Sequence, residues 1–257
     1  MSRLPLTFAC GSLTLSGTLD TAPGTSGLLI VSGGAEVRSG AFQRQARLAA
    51  RIAKSGFPVF RFDRRGVGDS EGEDRGFRTS ERDIAAALEA FRAMAPQVER
   101  VVAFGNCDAA SALMLAAGMG CDALVLANPW TLEEDAGIPA PNAVRSRYAA
   151  KLTNPREIVR LLSGGVDLRK LARGLRHSIR SGEPESSLAS EMARQLAKFT
   201  GPISILLARE DRTAQAFAQS WDANDARIDW CEGAGHAFSE PEHQDWLEGR
   251  ILMMLRR

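Results

Sequence analysis

The chain has 257 residues, 44% of them hydrophobic, with 32 basic and 31 acidic side chains and a formal net charge of +1. That composition supports one core of ordinary size with room for a smaller appended unit. It excludes a basic nucleic-acid groove and an acidic tail, because charges of both signs are interspersed along the chain as on a solvated surface.

Four cysteines, Cys10, Cys107, Cys121 and Cys231, are too widely spaced for a Cys-x-x-Cys pair, so neither a zinc site nor a disulfide framework is expected. The opening MSRLPLTFACGSLTLSG alternates apolar and polar residues and lacks the features of a signal peptide. No apolar run approaches the ~20 residues that span a bilayer. The expectation is a cytoplasmic protein with no membrane span, in a compartment where a thiol stays reduced.

In chain order, LTFAC and LTLSGTL read as a hairpin around Gly11. GLLIVSGG (27–34) is a short apolar run closed by glycines, as in a buried parallel strand. Residues 41–56 carry Phe42, Leu48, Ile52 and Ala53 at helical spacing and stop at Ser-Gly. FPVFRFD (57–63) is the next strand. The helix at 80–95 has Ser80 as its expected N-cap and Asp83 in its first turn. ERVVAFG (99–105) is a third core strand, followed by a helix at 111–120 and a fourth strand at 121–130.

Residues 131–198 then contain no convincing strand. They hold basic amphipathic segments such as REIVRLLSG and LRKLARGLRHSI. Strand pattern resumes at PISILLARED (202–211) and ARIDWCEGAGH (226–236), and EHQDWLEGRILMMLRR closes the chain as an amphipathic helix. Strands alternating with helices imply an α/β fold, a mostly parallel twisted sheet with helices on both faces. The core is expected over 1–130 and 199–257. The segment 131–198 is expected as a helical lid, or as extra helices against one edge.

Ligands of an open parallel sheet bind beyond the carboxyl ends of its strands. Asn106-Cys107-Asp108 follows one strand, Arg209-Glu210-Asp211 another, and Gly233-Ala234-Gly235-His236 the last. A thiol, a carboxylate and an imidazole therefore leave the same edge in the order nucleophile, acid, histidine. Gly105-Asn106-Cys107-Asp108-Ala109 has the form of a G-x-S-x-G elbow, with Cys for Ser and Ala for the second Gly. A helix starting there aims its N-terminal N–H groups at the thiol and favours thiolate and oxyanion. A small buried thiol is the alternative for Cys107. Glu210 competes with Asp211 for the role of acid.

With these residues in place the chain resembles the α/β-hydrolase superfamily over nearly its whole length. SGG followed by a helix is similar to that fold's oxyanion loop, and Asp63, Gly66, Gly68 and Ser70 of RFDRRGVGDSEG resemble its D-x-x-G-x-G-x-S segment. SGGAEVRSG, FRFDRRGVGDSEGE and GNCDAASA together resemble the hydrolases associated with exosortase A and exopolysaccharide gene clusters, which also carry cysteine at the elbow. The resemblance implies an esterase or thioesterase with a Cys107–His236–Asp211 triad, an acyl-enzyme intermediate and no cofactor. Ser32-Gly33 or Gly33-Gly34 stands where the oxyanion loop usually has His-Gly, so Gly34 or Ala35 would give one N–H of the oxyanion hole and Asp108 the other.

Asp63 and Asp69 are expected to brace their loop, and the Asp108 carboxylate to point away from the thiol or bond an arginine. Trp130 either lines a substrate pocket or packs in the core. His177 and His243 are expected at the surface. No metal site is expected, since His236 and His243 have no ligand spacing. Arg145, Arg147, Arg156 and Arg160 either favour an anionic, carrier-bound acyl substrate or form an ordinary solvated face. Acyl transfer on the same triad and non-catalytic ligand binding on the same fold are the alternatives to hydrolysis.

Overall fold

The structure, a computed structural model, describes residues 2–132 and 187–257. The chain divides into two compact units, Met1–Thr131 with Leu188–Arg257, and Leu132–Ser187. The two basic segments expected as helices, and with them Arg145, Arg147, Arg156, Arg160 and His177, lie outside the described residues.

The first unit is built on eight strands: β1 (Arg3–Cys10), β2 (Leu13–Asp20), β3 (Ser26–Val31), β4 (Val59–Phe62), β5 (Arg100–Asn106), β6 (Ala123–Ala127), β7 (Ile203–Ala208) and β8 (Ile228–Cys231). They form one sheet in the order β1-β2-β4-β3-β5-β6-β7-β8. The β1–β2 hairpin and the β2–β4 pair are antiparallel, and the remaining neighbours are parallel. This is the expected α/β architecture. The hairpin turns at Gly11, whose φ of 64° suits glycine.

Side-chain alternation along the inner strands separates two apolar layers. Leu29, Val31, Val101, Ala103, Leu124 and Leu126 face one layer, and Leu28, Ile30, Val102, Phe104, Val125 and Ala127 face the other. Helices α2 (Glu81–Met94), α3 (Asp108–Leu115), α4 (Ser187–Leu196) and α5 (Arg212–Gln219) cover the first layer through Ile84, Phe91, Leu113, Met192 and Phe217. Helices α1 (Arg44–Lys54) and α6 (Pro241–Leu255) cover the second through Ile52, Leu247 and Ile251. Because Leu188, Met192 and Leu196 belong to the core layer, the chain rejoins the sheet unit at Leu188, before the residue 199 read from the sequence.

Three local expectations differ. Ser80 is the N-cap residue of α2, but its side chain makes no capping hydrogen bond; its hydroxyl instead accepts from the Arg64 guanidinium at 2.8 Å. The helix expected at 111–120 starts earlier, at Asp108, and stops at Leu115, because Ala117, Gly118 and Met119 turn into the left-handed region. Helix α5, directly after Asp211, is absent from the sequence reading. Its eight residues are too few to give a clear period, yet it proves central to the site.

The chain passes from β3 to β4 on one side and, through β5, to the other side of the sheet. The crevice at that reversal lies beyond the ends of β3 and β5. Ser32-Gly33-Gly34 and Asn106-Cys107 emerge there.

Candidate active site

The elbow is a strand-to-helix turn with no spare room. A Cβ on Gly105 would lie 2.7 Å from the Ala109 carbonyl carbon and 2.8 Å from the Ala110 nitrogen, so glycine is needed for α3 to cross so close to β5. Cys107 itself has φ 64° and ψ −129°. For a residue with a Cβ this backbone costs about 1–3 kcal/mol, and such strain persists only where the surroundings hold it. They do: the Cys107 N–H donates to Ala127 O at 3.0 Å, and Cys107 O accepts from Ala110 N at 3.1 Å and Trp130 N at 3.3 Å. Cys107 is half-buried, whereas Cys10, Cys121 and Cys231 are buried, and all four are free thiols. Burial pushes the Cys121 thiol up to about 12, which leaves it inert at neutral pH.

Asp211 and His236 meet across the ends of β7 and β8. His236 Nδ1 lies 2.9 Å from Asp211 Oδ2. Asp211 is the N-cap of α5 and also accepts the Ala214 N–H at 3.1 Å, so the helix fixes the carboxylate that faces the ring. Burial pushes the Asp211 carboxyl up, but His236 and the N–H groups of Ala214 and Thr213 outweigh it and leave it below the usual range. The bond to Asp211, with a second contribution from the Cys107 side chain, raises His236 to about 10 against the opposing effect of burial. At neutral pH the imidazole is therefore held protonated beside Cys107. Glu210, the competing acid, is exposed, and its N–H donates to Ala234 O at 2.9 Å.

The oxyanion-loop corner is arranged differently. Gly33 to Glu36 form a turn closed by Glu36 N–H to Gly33 O at 3.0 Å, with Gly34 at φ 52°. The Gly34 N–H donates to both oxygens of Asp108, at 2.7 and 2.9 Å. The buried Arg64 guanidinium donates to Gly34 O and stands 4.0 Å from the Asp108 carboxylate. Asp108 thus has the expected arginine partner, at the long end of ion-pair range. It turns onto the loop, and burial pushes its carboxyl up against the opposing pull of the Gly34 N–H and Arg64. The Gly34 N–H already has an acceptor, while Ala35 is exposed one residue on. The sequence reading missed Arg64, and a buried arginine just after an FRFD strand gave no signal of its own.

Trp130 is half-buried against the core layer, and its carbonyl accepts the Ser111 hydroxyl at 2.7 Å. Asp63 braces its loop: it accepts the Arg38 N–H at 2.5 Å and the Asp69 N–H at 3.2 Å and pairs with the Arg38 guanidinium. His243 is half-buried, with a buried Nδ1 that has no hydrogen-bond partner. Among the described residues no group of three or more His, Cys, Asp or Glu side chains could hold a metal ion. No described helix is long and apolar enough to cross a membrane.

A doubly wound sheet with a strained residue on a strand-to-helix elbow, and a carboxylate–imidazole pair on neighbouring loops, defines the α/β-hydrolase class of architecture. The family model described as the alpha/beta hydrolase family matches residues 28–249. The chain belongs to that family. No curated protein sequence matches it. Among solved structures, the Pyrococcus furiosus esterase Pf2001 superposes with a TM-score of 0.67 at 16% identity, covering 100% of this chain and 91% of the esterase. XC6422 from Xanthomonas campestris, described as an a/b serine hydrolase without lid, gives 0.62 at 15% identity over 100% and 95%. The thioesterase domain from the curacin biosynthetic pathway gives 0.60 at 12% identity over 100% of both chains. At these identities the likeness is one of fold.

Proposed function

We propose that the protein is a hydrolase that cleaves a carboxylic ester or thioester through Cys107, His236 and Asp211. The observation that carries this reading is the 2.9 Å contact of His236 with a helix-capping Asp211 beyond the ends of β7 and β8, together with Cys107 at φ 64° on the elbow after β5. The Cys107 thiolate attacks the acyl carbon and forms the carbon–sulfur bond, and the carbonyl π pair moves onto oxygen. The His236 imidazolium gives its proton to the departing alkoxide or thiolate as the tetrahedral centre collapses. The neutral imidazole then takes a proton from water, hydroxide attacks the acyl-thioester, and the sulfur leaves as thiolate. Asp211 keeps Nδ1 as the protonated nitrogen throughout.

The Asp108 N–H and the Ala35 N–H are the donors assigned to the oxyanion, since Asp108 occupies the Gly34 N–H. Trp130, at the end of the β6 segment, is assigned to the wall of the acyl site. The similarity of three segments to the exosortase A-associated group extends the reading to an acyl substrate of exopolysaccharide-linked metabolism, small or carrier-bound, in a reducing cytoplasm. Attack of an alcohol instead of water would make the same site an acyltransferase.

Turnover of a p-nitrophenyl acyl ester and iodoacetamide alkylation of Cys107 test this together. Turnover with His236-dependent alkylation is expected. Alkylation without turnover would point to transfer to another acceptor or to binding. Absence of both would end the enzyme reading.

A further inference from the structure

The end of β6 carries a buried amide that the sequence reading passed over. Asn128 follows Ala127 directly, is 0% exposed, and has φ 42°. Asparagine is among the few residues that tolerate the left-handed region. Burying an amide with no water requires that its groups be paired inside the protein. The pairing is unusually far-reaching. Oδ1 accepts the Ala208 N–H at 2.8 Å, at the end of β7 and three residues before Asp211. Nδ2 donates to Asn106 Oδ1 at 3.0 Å, one residue before Cys107, and to the main-chain carbonyl of His236 at 3.1 Å. Asn106 Nδ2 adds a second donor to that same carbonyl at 3.2 Å.

The His236 loop needs such a hold. Gly233 and Phe238 both have positive φ, and the loop is otherwise anchored by the buried Ala234 and Phe238 on either side of His236. The Glu210 N–H holds Ala234 O two residues earlier, and the two amides are the donors to the His236 carbonyl itself. An amide suits the position because one end must accept and the other must donate. A carboxylate would face two acceptor oxygens, and an aliphatic side chain would leave the Ala208 N–H without its acceptor.

We infer that Asn128, with Asn106 as its relay, is a positioning residue that registers the three segments bearing Cys107, Asp211 and His236 through one buried amide. The inference rests on the triad reading for its catalytic meaning but not for its test. An error on the order of 1 Å in a reacting pair costs about 100-fold in rate, so such a hold matters even though Asn128 touches no substrate.

The experiment uses the full chain and two neutral variants, Asn128→Gly, which keeps the left-handed backbone available, and Asn106→Ala, at a half-exposed position. Two quantities are read in variants whose circular dichroism matches the wild type: the NMR titration midpoint of the His236 imidazole and the iodoacetamide alkylation rate of Cys107. Loosening the ring from Asp211 and Cys107 is expected to lower the midpoint by about one pH unit in Asn128→Gly and to slow alkylation roughly 10- to 100-fold. Smaller changes of the same sign are expected in Asn106→Ala. Should Asn128→Gly fail to fold, Asn106→Ala carries the test alone. Folded variants with both quantities unmoved would overturn the inference. If wild-type Cys107 shows no His236-dependent alkylation, the triad reading fails, and the His236 midpoint still decides the role of Asn128.

Discussion

At the β1–β2–β4 end of the sheet, three arginines stand against three aspartates; beyond the carboxyl ends of β7 and β8, Asp211 stands against His236. Asp20 pairs with Arg3 at 2.6 Å and Arg61 at 3.0 Å, Arg38 pairs with Asp69 at 2.9 Å, and Arg38 also pairs with Asp63. A cavity of about 530 Å³ opens there, lined by Arg3, Arg38, Arg61, Asp63 and Asp69 among others, and by none of Cys107, Asp211 or His236. The charges of that end cancel internally. At the other end the imidazole is 41% exposed on its side chain, and Cys107 stands on a strained backbone at the elbow. A charge network closed on itself holds segments in place. A charge pair with an open face is what the proposed hydrolysis uses.

The comparison is broken most sharply by removing the thiol. Cys107→Ala should lower ester turnover by about 10³-fold or more while the melting temperature holds, as measured by p-nitrophenol release and calorimetry. Its indifference would move the chemistry elsewhere. His236→Gln and Asp211→Asn should each slow turnover by about 10²- to 10⁴-fold, Asp211→Asn the less. In Asp211→Asn the NMR midpoint of His236 should fall well below that of the wild type, because the largest cause of its raised value is removed.

At the closed end the effect should be on stability instead. Asp20 is fully buried, and Asp20→Ala leaves Arg61, 2% exposed, without its carboxylate. A cost of about 3–5 kcal/mol in urea unfolding is expected, with Cys107 alkylation unchanged in the folded fraction. A loss of stability under 1 kcal/mol, or slowed alkylation, would erase the distinction between the ends.

The pH dependence follows from the His236–Asp211 pair. His236 rises above its ordinary value, so its stabilisation is complete below about pH 6.5 and is lost as pH rises through about 10. Asp211 falls below its ordinary value, so its stabilisation is present above about pH 4 and is lost as pH drops through the lowered value. The gap in melting temperature between wild type and His236→Gln should therefore narrow between pH 7 and pH 11. A smaller effect concerns Asp108. Its carboxylate beside the oxyanion loop opposes developing negative charge, so Asp108→Asn should raise turnover of a neutral ester by about 3- to 10-fold. A fall would show that the charge is needed to hold Gly34.

Much of this was legible in the chain because strand and elbow patterns are local. The run ERVVAFG, the small residues after Cys107, and the positions of Asp211 and His236 after strands needed no tertiary knowledge. What escaped were side-chain commitments made across the fold. Asp108 bonds a loop 74 residues away, Asn128 reaches Ala208 and His236, and Arg61 sits buried in a strand whose sequence reads as a plain alternation. Helix α5 escaped for the opposite reason: RTAQAFAQ is short and nearly featureless, and its meaning lies in the N-terminus it presents to Asp211.

The central claim is a covalent acyl-enzyme on Cys107. Intact-mass and peptide mass spectrometry after rapid acid quench of the protein with an acyl p-nitrophenyl ester tests it most directly. One acyl group per chain on the Cys107 peptide, released by hydroxylamine, absent in Cys107→Ala and slow to form in His236→Gln, is the predicted result. Sustained turnover with Cys107 never acylated would contradict it.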